Sequence, residues 1–290
     1  MNTKTALVVG ATDGIGKQTA LNLVHEGFFV LAVGRNPQKL TALQAQLGSR
    51  GQTYKADLSL LSETRRVGEE ITAAYTVIDL IVHCADVLVT KRIETAEGHE
   101  ISFATNYLSR FLLNSLLIDS LLHSPNPRLI HVAAAGMPMA LKKEQFPVPP
   151  TASSFTGHTV GQISNDFYGL SLAERFPALT VNILNPGVVN TDIRNRMQGG
   201  TLAKMMIGVM SLLAKPMESS VEDYSALVMN IALGRNKEAN NSVLINPQGK
   251  AMKVRKDRLD ISLRQYIWQT SEKLTSNTQK RLSPFPSVLP

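Results

Sequence analysis

The chain has 290 residues, of which 43% are hydrophobic and 18% charged, with a mean hydropathy of -0.02. That is enough for one α/β domain with a substantial core, and too apolar for intrinsic disorder. The single cysteine, Cys84, excludes an internal disulfide framework and a cysteine-based zinc cluster, so no metal site is expected. The formal charge of +7 is uneven: residues 1–249 hold 21 Lys+Arg against 20 Asp+Glu, and residues 250–290 hold nine against three. The excess belongs to the tail, and no Arg-rich stripe interleaved with aromatics runs through the body, so no nucleic-acid partner is expected. Apolar runs of the ~18 residues a membrane span needs are absent, and the N-terminus shows no secretory pattern. The expectation is a cytoplasmic protein without a transmembrane segment.

Apolar β-rich runs alternate with segments of helical period, the pattern of a parallel sheet with crossover helices. Thr5–Gly10 reads as a buried first strand, followed by a helix from Ile15 to Glu26. Phe28–Val33 is a second strand, and Pro37–Leu47 is a helix opened by a proline in its first turn. A short strand ends near Asp57, Glu63–Ala74 is helical, and Val77–His83 is the next strand. A long helix is predicted over Glu97–Leu122, closed by Pro125 and Pro127, before a strand at Arg128–Ala134. Residues 136–156 read as a loop, 158–176 as a helix, 179–185 as a strand and 186–200 as a loop. Segment 201–214 is apolar and Met-rich, and suits either a packed helix or a lid over an apolar ligand. A helix at 219–234 and a strand at Ser242–Ile245 complete one Rossmann-like domain, 1–249. In the tail, Leu259, Leu263, Ile267 and Leu274 stand at helical spacing around Trp268, which predicts a docked helix with a basic, solvated outer face.

Gly10, Gly14 and Gly16 lie between the first strand and first helix. Glycines there permit a tight turn, close approach of backbone to a pyrophosphate, and helix–sheet packing, while the helix start offers free N–H groups to phosphates. The second strand ends in Gly34-Arg35-Asn36, and no carboxylate occurs between 27 and 56. A dinucleotide with a free ribose 2′-hydroxyl calls for an acid there, whereas Arg35 suits a 2′-phosphate. The expected cofactor is NADP(H).

Taken together, several ordered motifs resemble the short-chain dehydrogenase/reductase family, most closely its retinol-dehydrogenase-like branch. They are the turn through Gly10, Gly14 and Gly16, Asp57-Leu58 after the third strand, TAEGHEISFATNYLSRFLL (95–113), NPGVVNTD (185–192) and YIWQTSEKL (266–274). The resemblance covers nearly the whole chain. It implies a doubly wound sheet of about seven strands with flanking helices and a C-terminal helix, a nicotinamide cofactor, and hydride transfer at a carbonyl. It places Asn106 on the family's active-site asparagine, and Pro186, Gly187, Val189 and Thr191 in the loop beside the nicotinamide. Thr12, Asp13, Ile15, Asp57, Leu58 and Ala85 join the nucleotide site by the same token, and His83 and Cys84 adjoin it. It also implies possible pairing into a homodimer, although the apolar face at 108–122 serves equally as internal core.

The catalytic residues of the family are absent. Its proton donor is a tyrosine four residues ahead of a lysine, and none of the six tyrosines here has a lysine at that spacing. Anchoring the helix on Asn165 and Leu172-Ala173 puts His158 at the tyrosine position and Gln162 at the lysine position. Ala133-Ala134 stands where a serine is expected, and His83-Cys84-Ala85-Asp86 replaces Asn-Asn-Ala-Gly. Gln162 can bond a ribose hydroxyl but brings no charge, and Ala134 has no side-chain donor for an oxyanion. His158 remains able to exchange a proton near neutrality, with Asn106 placed to orient a water or substrate. Three readings stay open. One is acid–base chemistry such as cyclisation or dehydration on a hydrophobic small molecule, with His158 and Asn106 as catalytic residues. The second is a non-catalytic NADP(H)-binding regulator. The third is an NADPH-dependent carbonyl reductase with an unusual proton donor.

Overall fold

In the computed structural model, residues 3–189 and 218–276 are described. Seven parallel strands form one sheet in the order β3-β2-β1-β4-β5-β6-β9. They are β1 (Thr5–Val9), β2 (Phe29–Gly34), β3 (Gly51–Lys55), β4 (Leu80–His83), β5 (Arg128–Val132), β6 (Thr180–Leu184) and β9 (Leu244–Ile245). A separate two-stranded parallel pair joins β7 (Val188–Val189) to β8 (Glu218–Ser219). This is the doubly wound α/β fold expected from the alternation of apolar runs.

Because side chains alternate along a strand, each central strand feeds two cores. Ala6, Val8, Val30, Ala32, Val82, Ile130 and Val132 pack with α1 (Gly14–His25), α2 (Pro37–Leu47) and α7 (Val221–Ala232). Leu7, Leu31, Ile81, Leu129 and Ile183 pack on the other face against α3 (Leu61–Ala74), α5 (Ser109–Leu122) and α6 (Ser154–Arg175). The apolar residues of α5 (Phe111, Leu112, Leu113, Leu117, Leu121) are buried within this second core, so no partner chain is needed to cover them.

Two helix starts differ from expectation because a capping side chain sets them. The helix predicted from Glu97 begins at Ile101, after a turn at Gly98 (φ 78°) and with Glu100 accepting the Phe103 amide. It comprises α4 (Ile101–Phe103), a π-helical turn at Ala104–Leu108 and α5, with Asn106 inside the π turn. Helix α6 begins a turn earlier than predicted, at Ser154, because Ser153 caps it. His158 therefore lies in the second turn of a 22-residue helix whose direction is fixed by a buried face.

The tail helix is α8 (Ile261–Thr275), capped by Asp260. Ile267 and Trp268 are buried in the α5–α6 core, whereas Leu259 precedes the helix and is 53% exposed. The expectation that the tail's basic residues form only a solvated face is also corrected. Arg258 is fully buried, pairing with Asp166 at 3.4 Å and with Asp257, and donating to the carbonyls of Met137 (3.2 Å) and Met139 (2.9 Å). The apolar segment 201–214, Thr191 and the end of the tail lie outside the described residues. No described helix is long and apolar enough to cross a membrane.

Candidate functional site

The glycine turn leaves no room for side chains. A Cβ on Gly10, which has φ 84°, would sit 2.5 Å from the Ala85 amide, and one on Gly16 would sit 2.2 Å from the Gly10 carbonyl oxygen. Asp13 caps α1 by accepting the Gly14 amide at 3.0 Å, and the remaining first-turn amides, Ile15 and Gly16 among them, have no intrahelical partner. At the end of β2 a Cβ on Gly34 would strike the Thr12 methyl at 2.3 Å, which brings this strand end up against the turn. Arg35, 65% exposed, lies 3.9 Å from Asp57, and Lys39 pairs with Asp13 at 2.5 Å. Two cations, each beside a carboxylate, and a sterically bare cradle therefore adjoin a helix N-terminus, a set that fits the phosphates of a dinucleotide. Asp57 is held in place by the Ser59 amide and hydroxyl, and Leu58 is buried beneath it. Beside the sheet's opposite half, Asn185 accepts the Gly187 amide at 2.8 Å and donates to the Ala135 carbonyl at 2.9 Å. That fixes Pro186 and Gly187 (φ 62°) at the sheet's C-terminal edge, with Val189 buried behind them.

The second cluster forms where the loop after β4 meets α6. His158 Nε2 lies 3.4 and 3.5 Å from the two carboxylate oxygens of Asp86, 72 residues away in sequence. Gln162 Nε2 donates to Asp86 Oδ1 at 3.0 Å and stands 3.3 Å from His158 Nε2. Gln162 Oε1 accepts the Ala134 amide at 2.9 Å, so both ends of this buried amide are spent inside the chain rather than left for a ribose hydroxyl. A protonated Nε2 can donate to Asp86, and an unprotonated one can accept from Gln162. No described residue bonds His158 Nδ1. Asp86 is the site residue that sequence reasoning missed as a functional group. Its signal was present, an acid where the family pattern has glycine.

The Asn106 side chain accepts the Val87 amide at 2.8 Å and donates to the Val87 carbonyl at 2.9 Å. Fully buried, its side chain is engaged twice by the residue after Asp86. Behind it a buried chain runs from His83 Nε2 through Asn114, His131 and Asn165 to the carbonyls of Asn106 and Gly161. His83 points into this chain and away from the nucleotide turn. Its imidazole is lowered to about 3 by burial, with the nearby Arg110 charge adding to the effect. His131 is likewise held well below the usual imidazole range by burial. The Cys84 thiol is pushed up to about 12 by burial, which makes it a poor nucleophile. No described group of His, Cys, Asp and Glu has the arrangement to hold a metal ion.

The short chain dehydrogenase profile matches residues 4–144. Among curated proteins the chain is 27% identical over 220 residues to a human polyprenol dehydrogenase, covering 71% of this chain and 67% of that protein. It is 27% identical over 240 residues to human retinol dehydrogenase 13, covering 78% and 72%. These matches make the chain similar to the short-chain dehydrogenase/reductase family, and in particular to its retinol-dehydrogenase-like members. Its fold resembles that of a short-chain dehydrogenase from Shigella flexneri solved with NADP, with a TM-score of 0.61 and 20% identity over 86% of this chain and 98% of the other. No tyrosine in the chain stands four residues ahead of a lysine, the spacing of the usual proton donor in that family.

Proposed function

We propose that this protein binds NADP(H) and uses His158, coupled to Asp86, as the acid–base group acting on a hydrophobic small molecule. The observation that carries this reading is the placement of His158 Nε2 against both Asp86 oxygens, at the helix position of the family's proton donor. A carboxylate on one imidazole nitrogen orients the ring and leaves the other to exchange a proton with a substrate, the logic of histidine-based acid–base catalysis. Arg35 and Lys39 beside the glycine turn support NADP(H) over NAD(H). The hydrophobic substrate is supported by the relatives' retinol and polyprenol activities and by Phe155, one turn ahead of His158, which is 64% exposed. The single free thiol suits a reducing, cytoplasmic setting.

Position 134 carries no serine hydroxyl and its amide is already bonded to Gln162, so neither group there is free to donate to a carbonyl oxygen. That favours dehydration, cyclisation or double-bond migration over ordinary carbonyl reduction. The relatives' dehydrogenase names favour a second reading, in which bound NADPH supplies hydride to a carbonyl carbon and His158 gives the oxygen its proton.

The test begins with NADPH and NADH titrations by thermal shift, and stabilisation by neither sinks the nucleotide assignment. Hydrophobic alcohols and ketones are then screened with NADPH present, following absorbance and product mass together. Loss of water or an isomeric product without NADPH consumption supports the first reading, and one NADPH oxidised per product supports the second. Intact nucleotide binding without turnover of any compound leaves the regulator. His158→Gln should reduce turnover by roughly 100- to 10,000-fold, and unchanged turnover removes His158 from the mechanism.

A further inference from the structure

Asp86 has no rigid element of its own. It sits in the loop after β4, three residues past His83, and its carboxylate must stay within reach of His158 on a different element. The residue after it is clamped by Asn106, as described above. The residue before it is clamped as well, by a side chain that the family resemblance does not single out.

Arg110, one turn beyond Asn106 in α5, is completely buried. Its Nη2 donates to the Ala85 carbonyl at 2.7 Å and to the Val132 carbonyl at 3.0 Å. Ala85 immediately precedes Asp86, and Val132 ends β5 two residues before Ala134, whose amide holds Gln162. One guanidinium thus bridges the strand end that leads to Asp86 and the strand end whose Ala134 amide bonds Gln162. The other donors of Arg110, Nε and Nη1, are buried without a bonding partner, so sheet hydrogen bonding alone does not account for a cation here. Burial pulls the guanidinium down to about 10, and the strongest opposing influence is the Asp86 charge, ahead of Cys84. A buried cation persists where a counter-charge faces it.

We propose that Arg110 is a positioning residue for the His158–Asp86 couple, holding the residue before Asp86 as Asn106 holds the residue after it. This rests on the reading of His158 and Asp86 as the working pair. A planar fork suits the task better than an ammonium, because it reaches two carbonyls while keeping its charge delocalised. Arg110 itself touches no ligand, since it has no exposed surface.

The test is a coupling measurement on the full chain. The ring 15N signals of His158, assigned by their absence in His158→Gln, are recorded at neutral pH with and without Asp86→Asn. The pair is measured in the wild-type background and again with Arg110→Gln. NADP+ titration in each variant checks that the nucleotide half is intact. The expected result is a clear Asp86-dependent change in the wild type that shrinks to less than about half in Arg110→Gln, as for residues that act as a unit. An equal change in both backgrounds overturns the proposal and leaves the working pair standing. No change in the wild type means Asp86 and His158 are not coupled, and both proposals fall. If Arg110→Gln does not fold, Arg110→Lys carries the same comparison, because it keeps the charge and loses the two-carbonyl bridge.

Discussion

Asn106 grips Val87 by both its amide and its carbonyl, at 2.8 and 2.9 Å, from inside a π-helical turn. A wider turn displaces the side chain from where a regular helix would carry it, and such irregularities concentrate at functional sites. Replacing Asn106 with Asp substitutes an acceptor for the donor that faces the Val87 carbonyl. The expected cost is about 1–3 kcal/mol of stability, with NADP+ binding retained and any His158-dependent turnover strongly reduced. Denaturant melts and nucleotide titrations of Asn106→Asp check this, and an unchanged melt removes the clamp.

Gly16→Ala should damage the nucleotide site directly. The new methyl would lie 2.2 Å from the Gly10 carbonyl oxygen, a backbone atom that cannot move without opening the turn. We expect destabilisation of roughly 1–3 kcal/mol and loss of the thermal shift given by NADPH. Retained NADPH stabilisation would show that the turn is not the binding site.

Arg35→Gln separates the two nicotinamide cofactors. A charged contact to a 2′-phosphate is absent in NADH, so the substitution should weaken NADPH roughly tenfold, about 1.4 kcal/mol, and leave NADH unchanged. Isothermal titration with both nucleotides decides, and equal weakening of the two would exclude a 2′-phosphate role for Arg35.

Acid should weaken the fold through the buried histidines. His83, lowered to about 3, and His131, also well below its usual range, stay neutral in the native chain, while unfolded histidine takes up protons below about pH 6.5. Their contribution is complete above that pH and is lost as pH falls. Asp166 works in the opposite direction: burial raises it to about 6, so between there and about 3.9 the native state holds the extra proton. Near pH 5 the two histidines and Asp166 together leave a net uptake of about one proton on unfolding, a loss of stability of roughly 1.4 kcal/mol per pH unit. Urea melts between pH 5 and 7 should show that slope, and His131→Asn should flatten it. An identical slope in the variant would assign the effect elsewhere.

The buried pair of Arg258 and Asp166 gives a prediction with a built-in control. Arg258→Met leaves a carboxylate without its cation and should cost about 3–5 kcal/mol. Adding Asp166→Leu should recover part of that loss, because the uncompensated charge is removed as well. Equal melting temperatures for the single and double variants would show that the pair is not the source of the cost.

Much of the architecture was legible because local signals agreed with one another. Pro37 opens α2, and its observed span of Pro37–Leu47 is the one predicted. The glycine turn was legible for the same reason, since strand, turn and helix signals coincide. The missing tyrosine–lysine pair could be read by inspection alone. What escaped was whatever depends on elements meeting in space. Asp86 and His158 are separated by 72 residues, and only the packing of α6 beside the end of β4 joins them. The π turn that holds Asn106 was not legible, because it leaves no mark in hydrophobic periodicity. The tail's charge was counted as surface because composition cannot distinguish Arg258, which is buried, from Lys256, which is not.

The Arg258 contacts also bear on the order in which the protein comes into being. Met137 and Met139, which follow β5 and Ala134, are held by a side chain some 120 residues downstream. On the ribosome the nucleotide-binding half is synthesised well before that anchor emerges. The segment through Met137 and Met139 can therefore be pinned only after residue 258 has been made, and a chain truncated ahead of that residue would lack the anchor.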